Sequence, residues 1–472
     1  MSIEVEQEEA TAAQVTVDTP PVKPAPLVKV VSWRRRRYQL GALFVLVLVV
    51  AALVANNFLA RQYSPDGVVR QYLSALQGGD ASSAWGLIQV TPADPAQLSL
   101  LDKAALAAAL GDSRPDIRSL AITDTKTVDA ATAQVNFSYE TASGTKQGSF
   151  IVQRTGENKV GIYPGWHVVV TPVVLQVNLP PGSGGVSIDG KTLAVAGATH
   201  IAVLPVSHRL RFAGTSMVSG QTINVDAFSN AAPTVTYGAA LTSAGTARAK
   251  AAVAAAFQAC AKQVESRPDG CPQRIENAFT GQWQVIGDPT ADLRVAPDQN
   301  FNLVATGHFQ MVFNYPEDGV TGPRHEPSGG GYSAQLSLTP NDITVSSIKA
   351  ATGLAGMARP AAATDQAAET IVSAALKTCA GVHVAVEGGC PQSFFWPDSS
   401  DFNWTLVTDP LMDATVSFDA GTGIYTVHGD FEMRLDYRLR AAQVTTYSNS
   451  TVYDAYLYWD GKQLVLVTID GE

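Results

Sequence analysis

The four cysteines of this 472-residue sequence are the residues whose type and spacing point most directly to chemistry. Cys260 and Cys271 are eleven positions apart, and the same separation joins Cys379 and Cys390. Zinc sites usually pair ligands about two to four residues apart, and the sequence contains no C-x-x-C. Paired cysteines in proteins outside the cytoplasm form disulfides. We therefore predict two disulfides, Cys260–Cys271 and Cys379–Cys390, and no metal site.

Motifs that would identify an enzyme do not occur in the sequence. The seven histidines show no H-E-x-x-H spacing, and there is no G-x-S-x-G, Walker A loop or G-x-G-x-x-G after a strand. Ser346 and Lys349 match S-x-x-K, but the preceding run 343–345 predicts a strand where enzymes with this motif have a helix. The sequence therefore predicts no catalytic residue and no cofactor, and it favours a protein that is not an enzyme.

The cysteine pairs belong to two copies of one longer pattern. In both copies Pro-Gln follows the second cysteine, a tryptophan precedes an Asp-Pro pair by five residues, and alternating strand-like runs follow. Matching positions lie 119 to 122 residues apart. They are Cys260, Cys271, Trp283, Asp288, Gly307, Phe309 and Tyr332 in the first copy, and Cys379, Cys390, Trp404, Asp409, Gly429, Phe431 and Tyr453 in the second. The sequence predicts a duplicated domain, over 242–350 and 364–472.

Two features of the repeat have alternative interpretations. Asp288-Pro289 and Asp409-Pro410 either contact a ligand or form turns held by an Asx hydrogen bond, and we favour the turn. Trp283 and Trp404 are either core residues or platforms for carbohydrate, and we favour the core.

Alternation in the last strands of each copy predicts an antiparallel sheet with a helix packed on its apolar face. The opposite face of the second copy is charged and carries Asp430, Glu432, Arg434 and Asp436. The matching face of the first copy is less polar and carries His308, Gln310, Val312 and Asn314. The first copy's face therefore either contacts a neighbouring module or faces solvent.

An apolar run near the N-terminus is long enough to cross a membrane. The 23 residues between Arg37 and Arg61 carry no charge, and at about 1.5 Å per residue they span a hydrocarbon core of about 30 Å. A cleaved signal peptide would have a shorter apolar region after a short basic start, whereas 37 residues precede this run. We predict a transmembrane helix over 38–60.

Charge predicts the orientation of this helix. Arg34, Arg35, Arg36 and Arg37 adjoin its start, and the positive-inside rule keeps that side in the cytoplasm. A proline-containing tail, 1–37, is then cytoplasmic and disordered, and the bulk of the chain is extracytoplasmic. Of the 32 basic and 42 acidic residues, six and five precede Arg61, which leaves a net charge of −11 on the exterior part. That charge disfavours nucleic acid as a partner.

The two modules between the helix and the repeats carry fold resemblances. Residues 64–172 combine two helices around Gly78-Gly79 with later strands that end at Trp166. This order resembles the cone-shaped fold of nuclear transport factor 2 and its SnoaL-like relatives. Since SnoaL-like folds include enzymes, the resemblance keeps a catalytic pocket in 64–172 as the alternative function. Residues 173–237 read as a small all-β module and resemble the PEGA-like β-sandwiches found outside bacterial membranes.

The expected fold class is α+β: one N-terminal transmembrane helix, a SnoaL-like cone, a small β-sandwich, and two duplicated domains of a helix plus an antiparallel sheet. This order is similar to the teicoplanin-resistance-associated membrane proteins of Gram-positive bacteria. The Cys-x10-Cys-Pro domain resembles one in actinobacterial envelope proteins. The first family often starts with a zinc ribbon, and no cysteine precedes Cys260 here.

These resemblances imply a single-pass protein of the cell membrane that senses or modulates the cell wall without catalysis. Its expected partners are the lipid bilayer and an envelope component or envelope protein. Neither the identity of that partner nor the oligomeric state follows from the sequence.

The cysteine pairing is directly testable. Non-reducing peptide mapping of the full chain should recover Cys260 linked to Cys271 and Cys379 linked to Cys390. Each disulfide closes a ten-residue loop, so replacing either pair by alanine should lower the free energy of unfolding by about 2–3 kcal/mol. Free thiols or a crossed pairing would contradict the prediction.

Overall fold

The computed structural model describes residues 33–94, 98–113, 117–141, 144–195, 197–228, 233–276, 279–440 and 443–471. Within these residues the chain forms six helices and 23 strands in five sheets, a mixed α+β architecture in which strands predominate. Most of the tail, residues 1–32, lies outside the described residues, so its disorder stays a prediction.

The first helix, α1 (Trp33–Gln62), contains the apolar run. Its segment Leu40–Gln62 is long and apolar enough to cross a membrane, and none of its most apolar stretch is buried within the protein. The helix begins earlier than expected. Arg34 to Arg37 lie in its first turns and not in an unfolded tail, because arginine is a good helix former.

The first domain packs helices on a five-stranded sheet with the order β1-β6-β5-β4-β3. Most neighbouring strands are antiparallel, while β1 pairs with β6 in parallel. Ser64 caps the helix α2 by accepting a hydrogen bond from the backbone N–H of Gly67, and Gly79 ends it with a φ of 75°. Its elements are α2 (Pro65–Gly78), α3 (Ala81–Trp85), β1 (Ile88–Val90), β2 (Leu98–Leu100), α4 (Lys103–Asp112), β3 (Leu120–Thr127), β4 (Thr132–Thr141), β5 (Gly144–Lys159) and β6 (Tyr163–Val170).

The following segment forms two four-stranded sheets. Their strands are β7 (Val173–Leu179), β8 (Val186–Ile188), β9 (Lys191–Leu193), β10 (Gly197–Val203), β11 (Ser207–Phe212), β12 (Gln221–Asp226) and β13 (Thr234–Thr236). One sheet has the order β12-β11-β8-β9. The other has the order β13-β7-β10-β2, so a strand from the first domain completes it. Ile201 of β10 pairs in parallel with Leu98 of β2, which covers an edge that would otherwise expose backbone groups. The expected division at 172/173 therefore does not separate the first domain from the following segment, because β2 lies before the division and pairs with β10 after it.

The two repeats have the same element order. The first comprises α5 (Ser243–Cys260), β14 (Gln282–Val285), β15 (Arg294–Pro297), β16 (Leu303–Tyr315), β17 (Arg324–Leu338) and β18 (Ile343–Ala351). The second comprises α6 (Asp365–Cys379), β19 (Ser399–Leu406), β20 (Thr415–Asp419), β21 (Ile424–Leu439), β22 (Gln443–Trp459) and β23 (Leu464–Gly471). Both sheets have equivalent topology: β14-β16-β17-β18 with β15 on β16, and β19-β21-β22-β23 with β20 on β21.

A disulfide lies at the end of the helix in each repeat. Cys260 is bonded to Cys271 and Cys379 to Cys390, with S–S distances of 2.04 and 1.96 Å. This is the pairing that the spacing predicts. The glutamine of each Cys-Pro-Gln motif is buried and donates from Nε2 to the carbonyl of the helix-terminal cysteine, over 3.1 Å for Gln273 and 2.7 Å for Gln392. The motif therefore satisfies a carbonyl that the helix end leaves without an intrahelical partner.

The outer face of the first repeat's sheet packs against the second repeat. His308 and Val312 lie on the face of β16 that points away from α5, yet both are buried. Beside them, Gln310 Nε2 donates to the carbonyl of Gly423 over 3.1 Å. The equivalent face of the second repeat stays open, with Asp430 and Arg434 exposed. Of the two interpretations, contact with a neighbouring module is therefore correct for the first copy.

Glycines permit this contact. A Cβ on Gly329 would lie 2.4 Å from the carbonyl oxygen of Thr422, and one on Gly423 would lie 2.3 Å from Nε2 of Gln310 in the first repeat. Gly423 also has a φ of +73°, in the left-handed region that favours glycine. At the position equivalent to Gly329, the second repeat has Ser450, which is exposed. Glycine is thus required where the two repeats meet, and not at the equivalent position outside the interface.

We expect Gly329→Ala to separate the two repeats. The added methyl group collides with the Thr422 carbonyl, so the free energy of unfolding should fall by about 1–3 kcal/mol and limited proteolysis in the linker 352–363 should accelerate. Ser450→Ala adds no atom at the equivalent exposed position and serves as the control. Equal proteolysis rates in the two variants would contradict the close approach.

Candidate ligand-binding cavity

A cavity of about 540 Å³ lies between the two repeats. Its volume falls within the range of about 300–1,000 Å³ that is typical of small-molecule sites. Three parts of the chain form its walls: the first repeat from the β14–β15 loop to β16, the linker after β18, and the second repeat. Its lining side chains include Ile286, His308, Met357, Phe418, Tyr425 and Trp459.

The polar feature of the cavity is a histidine–aspartate pair. His308 Nδ1 is 2.6 Å from Asp292 Oδ2, and the backbone N–H of His308 donates to Asp292 Oδ1 over 3.1 Å. The His308 side chain is only 7% exposed, whereas that of Asp292 is 45% exposed. With Nδ1 bound to the carboxylate, the second ring nitrogen, Nε2, is the one left to meet a ligand.

The linker 352–363 forms one wall of the cavity, and two of its residues bond to the second repeat. The Met357 backbone N–H donates to the carbonyl of Ala420 over 2.8 Å. Arg359 pairs with Asp365 at the start of α6 and donates from Nε to the carbonyl of Ala363 over 3.1 Å. Its guanidinium carbon lies 5.4 Å from the centre of the Tyr425 ring, a cation–π contact. Arg359 therefore joins the linker to the second repeat.

The rest of the lining is largely apolar, and its other polar groups include Arg294, Thr306 and the buried Tyr425 hydroxyl. Burial raises the pKa of the Tyr425 hydroxyl, and the nearby Arg359 opposes that rise. The hydroxyl is thus neutral at physiological pH. Asp288 accepts hydrogen bonds from Thr290. Among the described residues, no group of three or more His, Cys, Asp or Glu side chains is placed to hold a metal ion. The arrangement suits a small, mainly apolar molecule with a hydrogen-bonding group that meets His308.

The Asp-Pro pairs form the turns that we favoured. The backbone N–H of Thr290 donates to Asp288 Oδ1 over 2.8 Å, and that of Leu411 to Asp409 Oδ1 over 3.1 Å. Each turn also receives a buried tyrosine: the hydroxyl of Tyr332 donates to the Pro289 carbonyl and that of Tyr453 to the Pro410 carbonyl, over 2.9 and 2.8 Å. In the first copy, Asp288 and Pro289 also line the cavity.

The glycine that begins the shared Gly-x-Phe-x-Met strand makes room for that tyrosine. A Cβ on Gly307 would lie 2.8 Å from the Tyr332 hydroxyl, and one on Gly429 would lie 2.9 Å from the Tyr453 hydroxyl. The repeated glycine, tyrosine and Asp-Pro therefore belong to one structural unit.

The tryptophans are core residues in both repeats. Trp283 and Trp404 are 5% and 3% exposed. Each indole N–H donates over 2.9 Å to a backbone carbonyl, that of Glu265 for Trp283 and that of Val384 for Trp404. Rings buried in this way cannot stack on a sugar, so the carbohydrate-platform interpretation is wrong.

The interior of the first domain is packed with apolar side chains. Tyr72, Val135 and Phe137 fill the space between α2 and the sheet, and Phe228 from the next module closes it. The rings of Phe228 and Tyr139 meet edge to face at 5.2 Å. Among the described residues of 64–172, no Asp, Glu or His side chain is buried.

A second histidine–aspartate pair is structural. His208 Nδ1 is 2.6 Å from Asp189 Oδ2, and its Nε2 is 2.8 Å from the carbonyl oxygen of Leu204. Both side chains are buried. Since both ring nitrogens are bonded within the protein, this pair has no group left for a ligand.

The sequence by itself predicts no binding site at the cavity, and it offers Asp288-Pro289 as a ligand contact only in the less favoured of two interpretations. Its named residues have other places: the four cysteines form disulfides after α5 and α6, and Arg34 to Arg37 lie in the first turns of α1. One signal did point to the cavity. His308 stands where the second copy has Asp430, on the face that is unusually apolar in the first copy.

No protein-family model matches the chain, and no curated protein matches it. Among solved structures, it is similar to an "Ntf2 like protein involved in plasmid conjugation" at 6% identity, with 41% of this chain and 79% of that chain covered. The TM-score is 0.15, so this likeness supports no conclusion about fold or function.

Arg359→Ala should loosen the linker over the cavity. A partly exposed cation–π contact contributes about 0.5–1 kcal/mol, so amide exchange at Met357 should become about two- to fivefold faster in hydrogen–deuterium exchange of the full chain. Arg438→Ala is the control, because Arg438 forms an exposed ion pair with Asp401 over 3.1 Å. Unchanged exchange in Arg359→Ala would show that Arg359 does not hold the linker.

Proposed function

We propose that the chain is a membrane-anchored binding protein of a bacterial cell envelope, with its N-terminus in the cytoplasm and its domains outside. Two observations support this placement. The helix α1 is long and apolar enough to span a bilayer, and two disulfides indicate an oxidising compartment outside the cytoplasm. The four arginines from Arg34 to Arg37 favour the stated orientation.

The cavity between the repeats is the proposed binding site. The observation that carries this proposal is the buried His308 at the wall of an apolar space of about 540 Å³, with Nδ1 held by Asp292. The site would take a small, mainly apolar molecule with a polar group that meets His308 Nε2. Such a ligand would contact both repeats and the linker at once, and binding would therefore stabilise their relative position.

Binding without catalysis fits the site better than an enzyme does. Asp288 accepts from Thr290 and Asp292 orients His308, but the described lining holds no serine or cysteine that His308 could activate as a nucleophile. In the first domain, the alternative location for chemistry, Phe137 and Phe228 occupy the interior. Catalysis in the first domain would need an acid–base pair that faces a substrate.

Site-specific photo-crosslinking tests this function. A benzophenone amino acid in place of Phe418, on the cavity wall, should acquire a small-molecule adduct when intact cells that express the full chain are illuminated. The same amino acid in place of the exposed Tyr447 should not. Intact-protein mass spectrometry measures the added mass.

Two tryptophan variants in the same linker provide the matched control. Ala355 lines the cavity and is exposed, so Ala355→Trp should block the adduct while the fold is kept. Ala361→Trp, at another exposed linker position, should leave it unchanged. An adduct that survives Ala355→Trp, or no adduct at Phe418, would contradict the proposed site.

A further inference from the structure

The β5–β6 hairpin projects beyond the rest of the first domain's sheet. Strand β4 begins at Thr132, which pairs with Gln153 of β5. Strand β5 continues for six further residues to Lys159, paired only with β6. Because β5 bulges between Arg154 and Asn158, β6 covers the same stretch in the four residues from His167 to Tyr163. At about 3.3 Å per residue, the hairpin extends roughly 13 Å past the neighbouring strand. An isolated two-stranded hairpin is marginally stable in water, so a second support for this extension is expected.

The helix α1 supports the hairpin by direct contact. Tyr163, the first residue of β6, reaches α1 with its hydroxyl, which bonds the Asn56 side chain and lies 3.3 Å from the Asn56 carbonyl oxygen. The rings of Tyr63 and Tyr163 are stacked with their centres 5.8 Å apart. A span of about 20 residues that starts at Leu40 would end near residue 60, so Asn56 lies about 6 Å inside that end at about 1.5 Å per residue.

The hairpin tip, residues 160–162, is apolar and exposed. Val160 and Ile162 are 64% and 69% exposed. Val160 and Gly161 have φ values of 51° and 77°, as in a type I′ turn, where asparagine or glycine is usual at the first position. A β-branched residue is an outlier at positive φ. Water alone would favour a polar residue at this position, and the valine is explained by an apolar environment.

We propose that the hairpin tip enters the outer interface of the bilayer beside α1. The contact of Tyr163 with Asn56 brings the tip, one to three residues away, to the level where the spanning helix leaves the hydrocarbon. Tyr63 and Tyr163 then lie in the interfacial belt that tyrosine prefers. The first domain would thus have two membrane contacts, a spanning helix and a lipid-facing turn, which would fix its tilt. The inference rests on the proposed membrane anchoring, since α1 sets the position of the bilayer.

Spin labels on the full chain in vesicles of phosphatidylethanolamine and phosphatidylglycerol test this contact. All four native cysteines are in disulfides, so Val160→Cys and Ile162→Cys each introduce one site for a nitroxide. Val128→Cys is the matched control, because Val128 is also apolar, 60% exposed and at the turn that precedes β4. Leu46→Cys, in the middle of α1, reports separately whether the helix spans the bilayer.

The expected result is a loss of accessibility to a water-soluble nickel chelate and a gain in accessibility to oxygen at positions 160 and 162, but not at 128. Water-accessible labels at 160 and 162, with Leu46→Cys in lipid, would overturn the tip contact and leave the anchor intact. A water-accessible label at Leu46 would overturn both. Dipolar broadening between tip labels that persists as the vesicles are diluted with lipid would assign the tip to a second copy of the chain instead.

Discussion

The close approach of the two repeats is the constraint on which the cavity between them depends. Gly329 and Gly423 let backbone from one repeat come within contact of the other, where a single Cβ would meet a carbonyl oxygen or a side chain at less than 3 Å. That approach buries His308 on a strand face that would otherwise be exposed to solvent. Because the two sheets meet along only part of that face, a space remains between them, and the linker encloses it.

The two repeats have the same internal construction and different surfaces. In both, a disulfide and a glutamine finish the helix, a buried tryptophan bonds a carbonyl, and a tyrosine hydroxyl reaches the Asp-Pro turn. These internal contacts explain the residues that the copies share. The residues in which they differ, such as His308 against Asp430, lie on the faces with different neighbours. The shared residues therefore maintain the fold, and the proposed binding site depends on residues in which the copies differ.

The neighbouring modules also complete one another. Strand β2 of the first domain joins the sheet of the second, and Phe228 of the second closes the core of the first. Local patterns could not reveal either exchange, since a three-residue strand and one phenylalanine carry no signal of which sheet or core they join. The expected boundary at 172/173 rests on a change in the pattern of residues along the chain. The sheets are defined by backbone pairing, and the pairing of β2 with β10 crosses that boundary.

The sequence by itself determined the apolar helix, the strand-rich repeats and the cysteine pairing, because periodicity, length and repeated spacing are local properties. It also favoured turns for the Asp-Pro pairs and core positions for the tryptophans. Only the tertiary structure decided that Asp292 and His308 meet across sixteen residues of chain and that a cavity lies beside them. It alone placed Tyr163 against α1. Such contacts depend on how finished sheets pack, and packing is decided by shapes that no single segment contains.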